Sequence, residues 1–372
     1  MRTLILFAVR HRVTMLMITL AAVIFGVVSL GRLPIQLLPD ITYPTLTVQT
    51  EYPDSAPNEV ENLITRPLED ILGTVTPDAA AATGLRAGTP VAVGGGDGSC
   101  AGVGVGCVKP GSAYNYLGSS SWIALTVDKP IVDPQMRTMN WAHCVPGYLH
   151  PSGTMQAAGS SYHWLKETIC TLEQQQARET GVDVYELINQ QIERSPPGAG
   201  GLIFLPYMLG ERTPRWNPKA KGAFIGLSLA TRREDMLRAV LEGITLNLGI
   251  IVNIFRQHVP IEAVTVIGGG AKGAVWRQIL ADVYGCPIQK LNVLEEATSM
   301  GAAVVGGVAA GVFDGFDVID RFVHVDDVVV PNPANQAVYE RILSIFERCY
   351  QSLVDVYEDL AGLPEDPKCR NA

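Results

Sequence analysis

Asp97 follows three consecutive glycines, Gly94, Gly95 and Gly96, in the stretch TPVAVGGGDGS. Glycines let a backbone approach a ligand closely because no Cβ intervenes. A carboxylate at the mouth of such a turn has the reach to take a proton from a substrate hydroxyl. An aspartate in a turn also occurs with no chemistry attached. Further on, Gly118-Ser119-Ser120 offers hydroxyls and backbone N–H groups, the donors that suit a phosphate anion, although a turn of this composition carries nothing by itself. A third candidate is Gly268-Gly269-Gly270-Ala271-Lys272-Gly273, which fits G-x-G-x-x-G. It lies between an expected buried strand, 263–267, and an expected helix, 274–284. A second strand near 288–293 leads to Glu295 and Glu296, at the spacing of a ribose-binding acid. Alone, that motif would suggest a dinucleotide-binding dehydrogenase, but the alternating strands and helices of a full domain of that kind are missing around it. His143, His150 and His163 show no metal-ligand spacing, and no metal site is expected.

The elements that must hold these groups are those of an α/β protein. Of 372 residues, 47% are apolar and 17% charged, which permits a large core. The net charge of −9 argues against a nucleic-acid partner, itself a polyanion. Seven cysteines without a C-x-x-C pair are expected to be buried, reduced thiols in a cytosolic setting. Around Asp97 the pattern predicts a short helix from about Thr76, a turn with Gly84 and Gly88, a buried strand over 90–93, and a tightly packed small-residue segment over 98–108. Glycine-punctuated residues 222–226 lead to an amphipathic helix with Met236, Ala239, Val240 and Ile244 on one face, running on through Leu246, Ile250 and Ile254. Residues 295–313 predict a small-residue helix packed on a sheet. Residues 331–363 predict a terminal amphipathic helix carrying Tyr339, Ile342, Ile345, Phe346, Tyr350, Leu353 and Val354.

Three passages resemble the FGGY family of carbohydrate kinases. GGGDGSCAGVGVGCVKPGSAYNYLGSSSWIA is similar to that family's catalytic passage. Gly222-x-Phe224-x-Gly226-Leu227, followed by Asp235-Met236 and Ala239-Val240-Leu241-Glu242, agrees with the family's second signature. GGGAKGAVWRQILADVYGCPI resembles the adenosine motif of the actin-like ATPase fold. The aromatic-rich stretch 114–161 is closest to xylulokinases. The resemblance implies an actin-like (ribonuclease H-like) α/β domain and ATP with Mg²⁺ as cofactors. Asp97 would be the catalytic base, and Gly118, Ser119, Ser120, Gly201, Gly269, Gly270 and Ala271 would line the nucleotide. It implies a sugar and an adenine nucleotide as small-molecule partners, a cytoplasmic kinase portion and a homodimer.

The beginning of the chain has a different character. Val13–Leu30 is an uncharged run of 18 residues, long enough to cross a bilayer as a helix over about 13–31. Arg2, Arg10 and Arg12 place its start on the cytoplasmic side. After residue 31 no second spanning segment is expected. Residues 45–51 alternate like a half-buried strand. A capped helix follows, with Val60, Leu63, Ile64, Leu68 and Leu72 on its apolar face. Over residues 1–75 the words LLPDITYPTLTVQTEYPDSAPNEVENLITRPLEDILGTV resemble the start of a resistance–nodulation–division efflux transporter. That implies insertion in the inner membrane.

The expected organisation is therefore an efflux-pump-like segment over 1–75, the end of a first kinase domain over 76–113, a C-terminal kinase domain over 114–363 and a tail over 364–372. Gly73-Thr74-Val75 suits both families, and no linker rich in Gly, Ser or Pro separates them, the pattern of a chimeric join. The first kinase domain's opening strand and most sugar-binding residues are expected to be missing. The expected function is a sugar kinase transferring the ATP γ-phosphate to a pentulose. A non-catalytic nucleotide-binding remnant and a transporter fragment are the alternatives.

Overall fold

The protein is described here from a computed structural model that covers residues 73–91 and 94–363. The chain divides into two units, Met1–Thr65 and Arg66–Ala372, and all the described residues belong to the second. The expected membrane helix, the strand over 45–51, its following helix and the tail over 364–372 lie outside the described residues.

Among the described residues a seven-stranded mixed sheet organises the domain, in the order β3-β4-β2-β1-β7-β8-β9. Its strands are β1 (Ala113–Leu117), β2 (Ser121–Leu125), β3 (Met139–Ala142), β4 (Leu149–Met155), β7 (Val264–Ile267), β8 (Ile288–Leu291) and β9 (Val325–Val329). β1 to β4 are antiparallel, with β2 between β1 and β4 and with β3 outside β4. β7 joins β1 in parallel, with Tyr116 opposite Ile267, and β8 joins β7 in parallel. A separate ribbon pairs β5 (Ile203–Leu205) with β6 (Ala223–Ile225). The antiparallel strands β1 to β4 and the antiparallel edge β9 exclude the dehydrogenase arrangement that the G-x-G-x-x-G spacing suggested.

Side chains alternate across the sheet, as strand geometry requires. Leu117, Ile123, Leu125, Val264 and Val266 enter one core, whereas Tyr114, Ala124 and Ile267 enter the other. The helices are α1 (Pro77–Thr83), α2 (Asp97–Gly104), α3 (Gly159–Ile169), α4 (Thr171–Thr180), α5 (Val184–Ile192), α6 (Arg233–Arg256), α7 (Ala274–Tyr284), α8 (Ala297–Ala309) and α9 (Pro333–Ala361). The first core contains residues of α3, α5, α6 and α7, and the second contains residues of α2 and α8, giving three layers.

α6 is not the amphipathic helix the spacing predicted. Every residue from Leu237 to Val252 is buried, because the sheet, the β5–β6 ribbon and α9 surround it. Its polar residues pair internally. Arg238 meets Glu242 at 2.6 Å, and Thr245 Oγ1 accepts from Trp276 Nε1 at 3.1 Å. Gly153 of β4 admits it closely, since a Cβ there would lie 2.4 Å from Ile251 Cγ2.

Of the strand expected over 90–93, Pro90 and Val91 lie among the described residues. Pro90 forms only an isolated bridge to Thr74, and Val91 is exposed. A buried strand needs neighbours on both sides, and within the described residues the 73–75 segment alone pairs with it. Upstream, α1 has the expected form, capped by Thr76 and ended by Gly84 in the left-handed region.

The two small-residue helices prove to be each other's partners. A Cβ on Gly104 of α2 would lie 1.7 Å from the Ala297 carbonyl oxygen, and one on Gly301 of α8 would lie 1.8 Å from that of Cys100. The backbones therefore touch, which only glycine permits. Gly301→Ala is expected to force the helices apart and to lower stability by about 1–3 kcal/mol. Chemical denaturation measures this, and an unchanged midpoint would contradict the packing.

Candidate functional site

Asp97 is the first residue of α2 and is exposed. Its Oδ1 accepts from the Gly98 N–H at 2.8 Å. The turn beneath it is anchored to the sheet: Tyr114 of β1 donates to the Gly98 carbonyl at 2.5 Å and accepts from Trp122 Nε1 of β2 at 2.8 Å. Trp122 stacks on Tyr116, centroids 4.1 Å apart, and the Tyr116 ring occupies the space above Gly118, where a Cβ would lie 2.4 Å from it. One chain of contacts thus runs from the carboxylate to the hairpin. Burial pushes the Tyr114 hydroxyl well above its usual range, so it stays protonated and able to donate. Beneath α2, burial lowers His143 to about 4 and His150 to about 3. Both imidazoles are neutral packing groups at pH 7.

Gly118, Ser119 and Ser120 form the turn between β1 and β2, as the sequence suggested. Asn115 stiffens its base, donating to Ser121 Oγ and to the Trp122 carbonyl, both at 2.9 Å. The parallel pairing of β1 with β7 carries the second glycine turn to the same end of the sheet. A Cβ on Gly268 would lie 2.7 Å from the Leu117 carbonyl oxygen, and one on Gly270 would lie 2.9 Å from Leu117 Cβ and 2.8 Å from the Trp276 ring. Gly269 is exposed, with nothing within 4 Å of where its Cβ would stand. Ala271 is buried below it. Beside this turn, Lys272 pairs with Glu295 at 2.6 Å, which occupies the acid that resembled a ribose ligand.

Sequence reasoning missed the start of α3. Gly159 N–H donates to the Gly118 carbonyl at 2.9 Å, and Ser160 N–H donates to the Ser119 carbonyl at 3.0 Å. A Cβ on Gly159 would lie 2.4 Å from that Gly118 oxygen. The available signal was the Ala-Ala-Gly-Ser-Ser run at the end of a strand, which has the same small, donor-rich character as the hairpin.

Gly201 belongs to a different turn, between α5 and β5, and is exposed with φ +89°. A Cβ on Gly226 would lie 2.8 Å from its carbonyl oxygen. The signature helix α6 fixes this turn. Asp235 accepts from Ser195 Oγ at 2.6 Å and from the Arg232 N–H at 2.9 Å. Glu242 accepts from the Gly198 N–H at 3.0 Å and from Tyr339 at 2.7 Å. Arg238 completes the network, donating to the Ser195 carbonyl at 3.1 Å. Burial pushes the Glu242 carboxyl up, against the pull of the Arg238 guanidinium. Between this turn and the first turns of α7 lies a cavity of about 510 Å³, lined by Glu193, Pro196, Pro197, Ala274, Val275 and Gln278 among others. Its volume falls within the range of small-molecule sites.

A mixed sheet with two donor-rich turns at the end of its parallel strands, and with helices on both faces, defines an actin-like ATPase domain. Residues 113–310 match the C-terminal domain of the FGGY family of carbohydrate kinases, and the chain belongs to that family. Residues 4–77 match the AcrB/AcrD/AcrF family. Among curated relatives, the chain is 35% identical over 295 residues to a xylulose kinase of Staphylococcus epidermidis, an alignment covering 78% of this chain and 56% of that protein. It is 30% identical over 312 residues to a gluconokinase of Bacillus licheniformis, covering 82% of this chain and 59% of the relative. The chain therefore spans little more than half the length of these relatives. Among solved structures, xylulose kinase from Rhodospirillum rubrum superposes with a TM-score of 0.66 at 32% identity, covering 77% of this chain and 56% of that one.

Proposed function

We propose that this domain is the nucleotide-binding wall of an ATP-dependent sugar kinase, with Asp97 as the base that activates the acceptor hydroxyl. The observation that carries the reading is the convergence of Gly118, Ser119, Gly159 and Gly268–Ala271 at one end of the sheet, tied through Tyr116, Trp122 and Tyr114 to the turn bearing Asp97. The Ser119 and Ser120 hydroxyls and the adjoining N–H groups would face the phosphates. The nucleoside would lie over Gly269 toward the 510 Å³ cavity beside α7. In the transfer, the acceptor oxygen attacks the γ-phosphorus while its proton passes to the Asp97 carboxylate. The bond to the β–γ bridging oxygen breaks, and ADP leaves. Likeness to xylulose kinases supports a pentulose as the acceptor.

Magnesium would arrive with the triphosphate, since it is typically held by one or two carboxylates plus phosphate oxygens. Among the described residues no three His, Cys, Asp or Glu side chains converge on a metal position.

Two neighbouring glycines test the nucleotide site. Gly269→Leu meets open space in the free protein and is expected to leave the melting temperature unchanged while weakening ADP binding at least about tenfold, or 1.4 kcal/mol. Gly270→Ala overlaps Trp276 and Leu117 and is expected to lower stability first. Calorimetric titration and thermal melts separate the two, and undiminished ADP affinity in Gly269→Leu would remove this turn from the site. ADP binding without acceptor-dependent turnover would assign this chain nucleotide binding alone.

A further inference from the structure

Cys100 and Cys144 are 44 residues apart in sequence, yet their sulfur atoms lie 3.9 Å from each other. The approach is built by their neighbours. Ser99 Oγ accepts from the Cys144 N–H at 2.8 Å, which stitches the segment between β3 and β4 to α2. Gly95 leaves room for the second thiol, because a Cβ there would lie 2.2 Å from Cys144 Sγ. The Gly95 carbonyl accepts from Cys100 Sγ at 3.4 Å. A disulfide requires an S–S distance of about 2.05 Å, so the sulfurs must close by roughly 1.9 Å, a movement shared by two side-chain torsions.

We infer that Cys100 and Cys144 constitute a modification site, a thiol pair that a peroxide converts to a disulfide. Cys144 is partly exposed and Cys100 is buried, so the oxidant meets Cys144 first. The Cys144 thiolate attacks one peroxide oxygen and the O–O bond breaks. With hydrogen peroxide this yields a sulfenic acid and, after protonation, water. The Cys100 sulfur, losing its proton to solvent, then attacks the Cys144 sulfur, and the hydroxyl departs as a second water. Two thiols lose two electrons and two protons in all, and the peroxide is reduced to two waters. Cys107 and Cys170 are poorer candidates: burial pushes Cys107 up to about 12 and Cys170 up to about 11, holding both as thiols.

The disulfide would tie the first turn of α2 to the loop before β4. Asp97 stands three positions before Cys100 on that turn, so oxidation would act on the residue assigned as base. The inference goes beyond the kinase reading, and its test needs no turnover. The full chain is treated with hydrogen peroxide, alkylated and digested, and its peptides are mapped by mass spectrometry. The expected result is one linked pair of peptides containing Cys100 and Cys144, about 2 Da lighter than the sum of the two reduced peptides and separated by dithiothreitol. Cys100→Ser should leave Cys144 as a sulfenic acid trapped by dimedone, and Cys144→Ser should leave Cys100 open to alkylation after unfolding. The inference is overturned if both cysteines remain fully alkylated after oxidation, or if the link joins either one to a different cysteine.

Discussion

An Asp97→Asn chain is expected to bind ADP as the parent does and, on the proposed kinase reading, to lose sugar-dependent ADP release by about 10²- to 10⁴-fold, the usual contribution of a general base. Two features make the substitution clean. Asp97 is exposed, so no buried charge is created or removed. Asparagine also keeps an oxygen to accept from the Gly98 N–H, so the turn held by Tyr114 and Trp122 is preserved. Loss of turnover with unchanged ADP affinity would place Asp97 at the reacting hydroxyl. Turnover equal to that of the parent would remove it from the chemistry, whatever the fate of the nucleotide site.

The second large effect concerns stability. Arg238→Ala removes the partner of a carboxylate that is almost completely buried, and it also leaves the Ser195 carbonyl and the Tyr339 hydroxyl without their guanidinium donor. Breaking a buried pair from one side costs about 3–5 kcal/mol, because the remaining charge is left uncompensated. Urea denaturation should show a midpoint lowered accordingly. The turn from Ser195 to Gly201 should loosen as well, since Glu242 also holds the Gly198 N–H. A variant within about 0.5 kcal/mol of the parent would show that the network is not structural.

Local pattern was enough to place several elements. α7 spans Ala274–Tyr284, as expected, and β7 and the Gly-Ser-Ser hairpin stand where they were expected. What failed was whatever depended on a distant partner. α6 was expected to be amphipathic, but its polar residues Arg238, Glu242 and Asn247 find their hydrogen-bonding partners inside the protein. The small residues of α8 suggested packing on a sheet, whereas its closest approach is to another glycine-rich helix. The same limit governs the site. Asp97 was legible as a candidate from its glycines. The tyrosine and tryptophan that seat its turn, and the Gly159 N–H that meets the hairpin, become visible only when β1 has its neighbours.

α6 has one more consequence, which concerns how the chain is made. Its 24 residues, at 1.5 Å each, would cover roughly 36 Å, more than the hydrocarbon thickness of a bilayer. Its apolar window is 94% buried in the folded domain. Three elements that cover it, β7, α7 and α9, lie later in the sequence. During synthesis this helix therefore emerges before those elements exist, and its apolar residues lack their full cover until the rest of the domain follows. In that interval the charges of Arg238 and Glu242 interrupt the apolar run, which weighs against loss of the segment to lipid and towards folding.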